Sequence, residues 1–197
     1  YPVTAGTKVA TPSSLASKYG DSFYSYDCGG TYKWYLTQYI ETAREVGAIP
    51  VLVTPVSRLY YTNDGTIKPH HDSTDTTTGT LVTENNAYVE AVKQLAKEQN
   101  VLLIDGFEIT KNMYEEAYKA DEKAANGKSV NGMQVMSAGD STHSNKLGGF
   151  ITAELFAQQI QNMNISLSKA VKAPSRVAGV NPDGQQVFVV AVSYTHL

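Results

Sequence analysis

A carboxylate and an imidazole, Asp140 and His143, stand three residues apart in this sequence. One turn of chain can bring the carboxylate to the Nδ1–H group of the ring. That contact would fix the tautomer and leave Nε2 to take a proton from a serine hydroxyl. The same spacing also suits an aspartate that caps a turn, followed by a histidine that packs at the start of a helix. The spacing alone therefore leaves a catalytic and a structural role open.

The remaining histidines do not predict a metal site. His70 and His71 are adjacent and precede Asp72 in a threonine-rich stretch, and adjacent side chains rarely converge on one ion. We interpret this stretch as a solvated loop and predict no metal and no cofactor. A single cysteine, Cys28, excludes an internal disulfide framework and a cysteine-based zinc site.

The composition narrows the choice of partners. The chain has 197 residues, 16 of them basic and 19 acidic, for a net charge of −3. This balance argues against nucleic acid or an anionic membrane as the main partner, since both require a basic surface. Charged residues make up 18% of the chain, against about 25% in typical domains. A polar, uncharged, tyrosine-rich surface of this kind is common in secreted proteins that bind carbohydrate, so we expect an extracellular protein.

The hydrophobic pattern predicts an α/β fold. Two short apolar segments, 49–54 and 101–105, are predicted to be buried strands that lie parallel in one sheet. Apolar residues recur at helical spacing in four further segments, and the predicted helices cover residues 31–47, 83–99, 107–122 and 145–162. Residues 55–82 are predicted to form a long loop. Because a doubly wound sheet has about five strands, we expect the first strands of the domain to be missing from this sequence.

Two blocks of sequence resemble the SGNH (GDSL-type) hydrolases. The segment at 140–149 reads DSTHSNKLGG, and the segment at 43–58 reads AREVGAIPVLVTPVSR. The likeness runs in collinear order over about residues 30–162, and it is greatest to the rhamnogalacturonan acetylesterases and related polysaccharide deacetylases. It implies the C-terminal part of a flavodoxin-like, three-layer, doubly wound parallel sheet. It also implies a serine esterase that acts on acetylated polysaccharide or oligosaccharide, with His143 as the base and Asp140 orienting it.

The sequence departs from the family pattern where the nucleophile should lie. A Gly-Asp-Ser triplet occurs at residues 20–22, but the four residues before it do not form an apolar strand. The Gly-x-Asn-Asp block that supplies an oxyanion donor in the family is absent. The resemblance therefore implies a nucleophile upstream of Tyr1, and we expect residues 1–197 alone to be inactive. Arg58, after the first strand, is expected either to reach a substrate group or to form a surface ion pair.

The expected domain organisation follows from these boundaries. Residues 1–163 are interpreted as a partial hydrolase domain, 164–184 as a linker and 185–190 as the start of a further domain. Residues 191–197 resemble a translated sequencing adapter, so we expect the chain to be a gene fragment. The alternative function is a non-catalytic, flavodoxin-like α/β binding module, which the coding sequence upstream of Tyr1 would distinguish.

Overall fold

The structure is a computed structural model that describes residues 32–70, 73–74, 81–82 and 87–172. Several of the sequence-based predictions concern residues outside these ranges. They are the Gly-Asp-Ser triplet at 20–22, Cys28, His71 and Asp72 of the predicted solvated loop, most of the predicted linker, and residues 185–197.

The described residues form six helices and four short strands. In chain order these are α1 (Tyr32–Glu45), β1 (Val51–Val53), β2 (Ser73–Thr74), β3 (Leu81–Val82), α2 (Ala87–Glu98), β4 (Leu102–Ile104), α3 (Gly106–Lys119), α4 (Val130–Met133), α5 (Lys146–Asn162) and α6 (Ser166–Ala170). The chain divides into two compact units, one formed by Tyr1–Pro55 with Pro69–Asp105 and the other by Val56–Lys68 with Gly106–Leu197.

A parallel strand pair organises the first unit. Strand β1 pairs with β4, with Val51 opposite Leu102 and Val53 opposite Ile104. Parallel neighbours require a long crossover connection, and helix α2 lies within the one that joins these strands. The α/β class and the parallel pairing predicted for these two segments are confirmed. The prediction that β1 is buried on both faces is wrong, because the Val53 side chain is 43% exposed.

Helix α2 buries the face that its periodicity predicts, whereas α1 does not. Val92 and Leu95 of α2 are buried. In α1, by contrast, Tyr39 lies at a position that the helical spacing of apolar residues predicts to be buried, but it is 76% exposed. The buried line of α1 consists of Lys33, Thr37 and Ile40. Lys33 is tolerated there because its ammonium lies 2.7 Å from the Glu98 carboxylate of α2, so the buried charge is paired.

The predicted loop at 55–82 contains an isolated β-bridge and a short pair of β-strands, which the sequence pattern did not indicate. Tyr61 forms an isolated antiparallel bridge with Ile67, and β2 pairs antiparallel with β3. The prediction of continuous loop is therefore wrong at these positions. Each of these paired segments is only one or two residues long, which is too short to show the alternation of apolar and polar residues that predicts a strand.

Helices α3 and α5 form the core of the second unit. Met113 and Tyr114 of α3 and Ile151 and Leu155 of α5 are buried. Helix α4 was not predicted, because its four residues are too few to show a helical pattern. Ser129 is its N-cap, and the Asp121 carboxylate accepts hydrogen bonds from the Ser129 hydroxyl and from the first backbone N–H groups of α4. Helix α6 lies within the first residues of the predicted linker. Within the described ranges, no helix combines the length and the apolar character needed to cross a membrane.

Two adjacent glycines in α5 differ in the space around them, which gives a matched test of this packing. A Cβ on Gly148 would lie 2.1 Å from the Val135 carbonyl oxygen, whereas one on Gly149 would have no atom within 4 Å. We expect Gly148→Ala to destabilise the intact protein by about 1–3 kcal/mol or more, because the backbone must move. Gly149→Ala should be neutral or stabilising by up to about 1 kcal/mol. Chemical denaturation measures both, and equal stability of the two variants would contradict the packing of α5 against residue 135.

Candidate active site

The candidate site is a closed loop that immediately precedes α5. Met136 and Ser144 form an antiparallel bridge across its base, and the Ser137 N–H donates to the His143 carbonyl oxygen at 2.9 Å. Gly139 turns the chain with a φ of 73°, a left-handed conformation that glycine adopts without the strain of a side chain. The backbone itself therefore defines where the side chains of 140–143 lie.

Asp140 and His143 meet inside this loop, as their spacing predicts. The Asp140 Oδ2 atom lies 2.6 Å from Nδ1 of the His143 ring. Its other oxygen, Oδ1, accepts hydrogen bonds from the backbone N–H groups of Thr142 at 2.6 Å and His143 at 3.1 Å. The carboxylate thus holds both the turn and the imidazole, and this contact favours a proton on Nδ1.

These hydrogen bonds stabilise the ionised form of the carboxyl group. The Thr142 N–H bond, followed by the bonds to the His143 ring and N–H, lowers the pKa of Asp140 from 3.8 to about 2. Asp140 is therefore an anion throughout the neutral range. An anion at Nδ1 stabilises the imidazolium that forms when Nε2 accepts a proton.

The His143 ring is accessible, which bears on the structural alternative for this pair. Its side chain is 78% exposed, against 33% for Asp140. A histidine that served to pack the start of α5 would be covered, so this exposure contradicts a packing role. No residue in the described ranges is hydrogen-bonded to Nε2. That nitrogen can therefore meet a hydroxyl or a substrate from outside the loop.

Asn145 joins the loop to α5 and was not singled out from the sequence. It is the N-cap of the helix, and its side-chain oxygen accepts from the Gly148 N–H at 3.0 Å. Its amide nitrogen donates to the carbonyl oxygens of Gln134 and Met136 at 2.7 and 3.0 Å. An asparagine directly before an apolar helix is a typical N-cap signal. This signal in the sequence could therefore have identified Asn145 as the capping residue.

A second segment, residues 57–61, contacts the loop from the side. The Leu59 N–H donates to the Ser141 carbonyl oxygen at 2.8 Å. Hydrogen bonding to Thr142, and to a smaller extent to Arg58 and Ser141, lowers the pKa of the Tyr60 hydroxyl. The Arg58 guanidinium lies 5.8 Å from the centre of the Tyr60 ring, within cation–π range. Sequence reasoning considered Arg58 but missed Tyr60.

Two curated proteins of Bacillus subtilis strain 168 are similar to this chain. One, named Probable rhamnogalacturonan acetylesterase YesY, is 36% identical over 143 residues, which cover 72% of this chain and 55% of the relative. The other, Rhamnogalacturonan acetylesterase RhgT, is 32% identical over 146 residues, or 70% of this chain and 54% of the relative. The chain belongs to an SGNH/GDSL-type, acetylesterase-like family.

The chain spans about half the length of the curated relatives it matches. No protein-family model and no solved structure match it. Membership of the acetylesterase-like family therefore rests on the two sequence relatives, while the geometry of the Asp140–His143 loop is an independent observation on this chain.

The structure contradicts the prediction that His70 lies in a solvated loop. His70 is buried, with 7% of its surface exposed, so the interpretation of this position as solvated loop is wrong. A neutral imidazole is an apolar ring with two polar atoms and is often at least partly buried. Within the described ranges, no three of the His, Cys, Asp and Glu side chains are grouped so that they could hold a metal ion.

The pKa of Asp140 can be measured directly. The side-chain carboxyl signal of Asp140, followed by NMR, should titrate with a midpoint near 2 instead of the ordinary 3.8. Because the folded-state pKa is lowered, the ionised group stabilises the loop above about pH 3.8, and this contribution is lost as the pH falls through about 2. In His143→Gln the midpoint should rise but stay below 3.8, since the Thr142 N–H bond is retained. A midpoint of 3.8 in the unmodified protein would contradict the bonding described here.

Proposed function

We propose that the intact protein is a serine esterase that removes acetyl groups from an acetylated plant cell-wall polysaccharide of the rhamnogalacturonan type. One observation carries the proposal: Asp140 is bonded to Nδ1 of an imidazole that is 78% exposed. An anion that orients an accessible imidazole is the arrangement by which serine hydrolases activate a hydroxyl. The names of the two relatives supply the substrate class.

In the proposed reaction His143 transfers protons and Asp140 stays ionised. Nε2 of His143 takes the proton of a serine hydroxyl while the serine oxygen bonds to the acetyl carbonyl carbon. The tetrahedral intermediate then collapses, the bond to the sugar oxygen breaks, and Nε2 returns its proton to that oxygen. Water, deprotonated by Nε2 in the second half-reaction, releases acetate from the acetyl-serine and restores the serine.

The serine and the oxyanion donors are parts of the proposal that the described residues do not supply. Among those residues, no serine hydroxyl bonds to the His143 ring. From the family resemblance we propose that the nucleophile lies in a Gly-Asp-Ser block and that a serine amide, a glycine amide and an asparagine side chain donate to the oxyanion. We further propose that β1 and β4 belong to a flavodoxin-like doubly wound sheet, and that the protein acts outside the cell, where its polymeric substrate lies.

Acetate release tests the proposal. The intact protein is incubated with acetylated rhamnogalacturonan-type pectin, with the same polymer after chemical deacetylation, and with a small acetyl ester. We expect acetate from the acetylated polymer and none from the deacetylated one. Acetate from the small ester but not from the polymer would overturn the substrate class. No acetate from any of them would overturn the esterase and favour a binding module.

A further inference from the structure

We propose that a cavity beside α4 is a subsite that binds a uronate residue of the substrate polysaccharide. The inference rests on the proposed function for the identity of the polymer, because rhamnogalacturonan-type chains carry galacturonate carboxylates. The cavity, here called the α4 cavity, has a volume of about 490 Å³, which lies in the range of small-molecule sites. Its lining includes four apolar or aromatic side chains and two cations: Leu59, Tyr61, Val130, Met133, Lys123 and Lys128.

The apolar part of the lining suits the C–H face of a sugar ring. Val130 and Met133 of α4 are 61% and 41% exposed although both are large apolar side chains. Leu59 and Tyr61, which line the same cavity, are buried. Exposed apolar side chains that border a concave surface are typical of a binding site. An apolar wall with a few charged groups is the usual composition of a small-molecule site.

The charged part of the lining favours an anion. Among the described residues, none forms an ion pair or a side-chain hydrogen bond with Lys123 or Lys128. No acidic residue is among those described that line the cavity. The carboxylate of Asp121, in the same turn, accepts hydrogen bonds from the Val130 and Asn131 N–H groups instead. The two ammonium groups therefore lack a protein anion, and a carboxylate of the ligand would complement them.

The backbone around the α4 cavity is already fixed. The Asp121 carboxylate holds the start of α4, and residues 125 and 128 form an antiparallel bridge within the turn that carries both lysines. Gly127 packs this turn against the neighbouring segment, because a Cβ there would lie 2.9 Å from the Thr62 carbonyl oxygen. A site formed before the ligand arrives loses less conformational entropy on binding.

The α4 cavity adjoins the loop that contains Asp140 and His143. Leu59 lines the cavity, and its N–H donates to the Ser141 carbonyl oxygen of the loop at 2.8 Å. Met133, also in the lining, lies three residues before Met136, where the loop begins. A polymer that fills the cavity can therefore extend to the loop, so that a uronate is bound while a nearby acetyl group meets His143.

Calorimetric binding to the intact protein tests the proposal with two matched ligands. One is a deacetylated oligosaccharide of the rhamnogalacturonan backbone, and the other is the same oligosaccharide after reduction of its carboxyl groups to alcohols. We expect the uronate form to bind about tenfold more tightly, since two exposed ion pairs contribute a few-fold each. This difference should disappear at 1 M salt, where the Debye length is about 3 Å. Equal affinity for the two ligands at low salt would overturn the proposal.

A pair of double variants tests whether the two lysines are responsible. Lys123→Gln with Lys128→Gln should lower the affinity for the uronate form about tenfold and leave that for the reduced form within about twofold. The matched control is Lys97→Gln with Lys119→Gln, which removes the same charge from two exposed lysines of α2 and α3 that are not in the lining. An equal loss in both double variants would overturn the assignment to the α4 cavity.

Methyl NMR locates the ligand without any substitution. The methyl signal of Met133 should shift when the uronate oligosaccharide is added, whereas that of Met113, which is 1% exposed in the core, should not. An unshifted Met133 signal in the presence of bound oligosaccharide would place the ligand elsewhere and overturn the subsite.

These measurements do not depend on turnover, so they separate the subsite from the proposed function. Lysine-dependent binding in a protein that releases no acetate would support the uronate site and overturn the esterase. Acetate release by a protein that binds both oligosaccharides equally would overturn the uronate site and support the esterase.

Discussion

Replacing His143 with alanine in the intact protein is expected to lower kcat for acetate release by about 10⁴-fold or more, the loss that accompanies removal of the base in serine hydrolases. The side chain supplies both proton transfers in the proposed reaction, and no second histidine lies in the loop. KM should change much less than kcat, because the imidazole acts on the reacting bond.

The matched control for this variant is Ser144→Ala. Ser144 is the next residue, its side chain is exposed, and the loop uses its backbone in the bridge to Met136. Its replacement should leave kcat within about twofold, because the Ser144 hydroxyl is exposed and is not hydrogen-bonded to any described residue. If His143→Ala retained turnover within about tenfold of the unmodified protein, His143 would not be the catalytic base.

Asp140→Asn is expected to lower kcat by about 10⁴-fold while leaving the loop folded. The asparagine oxygen can still accept from the Thr142 N–H, so the turn persists. The negative charge beside Nδ1 is lost, and an amide can donate to Nδ1 and so favour the wrong tautomer of His143. Because the pKa of Asp140 is about 2, the carboxylate of the unmodified protein is ionised at every pH from 5 to 9, so its own protonation does not mask the loss in this range.

Asp64→Asn is the matched control for the charge change. Asp64 is also an exposed aspartate that holds a turn, and its pKa is lowered by hydrogen bonds from Thr62 and Thr66. It is not bonded to a histidine. An equal loss of kcat in Asp64→Asn and Asp140→Asn would show that a change of loop stability, and not the orientation of His143, causes the effect.

Local signals in the sequence predicted the four longer helices and the parallel pair of β1 with β4. The helical spacing of apolar residues located α2 and α5 to within a few residues. Gly47 follows the end of α1, where a glycine is a common helix terminator: its φ is 73°, and its N–H and that of Ala48 donate to the carbonyl oxygens of Arg44 and Ala43. Asp140 and His143 were recognisable because their contact spans only three residues, so no other part of the fold is needed to bring them together.

Features that depend on distant partners were not predictable in this way. The inward face of α1 is set by the pairing of Lys33 with Glu98, 65 residues away, and periodicity alone favoured the tyrosines instead. The hydrogen bond from the Leu59 N–H to the Ser141 carbonyl oxygen forms only because the fold brings together residues that are 82 positions apart. The burial of His70 is likewise a property of the folded unit that its polar neighbours in sequence do not indicate.

The central claim is that His143, oriented by Asp140, activates a serine, and the rate of labelling by a fluorophosphonate tests it most directly. Such a reagent phosphonylates a serine rapidly only when a general base activates the hydroxyl, so the test does not depend on the polysaccharide. The intact protein should take up one equivalent on a serine, and His143→Ala should react at least about 10³-fold more slowly. Equal rates in the two proteins, or no labelling of the unmodified protein, would contradict the claim.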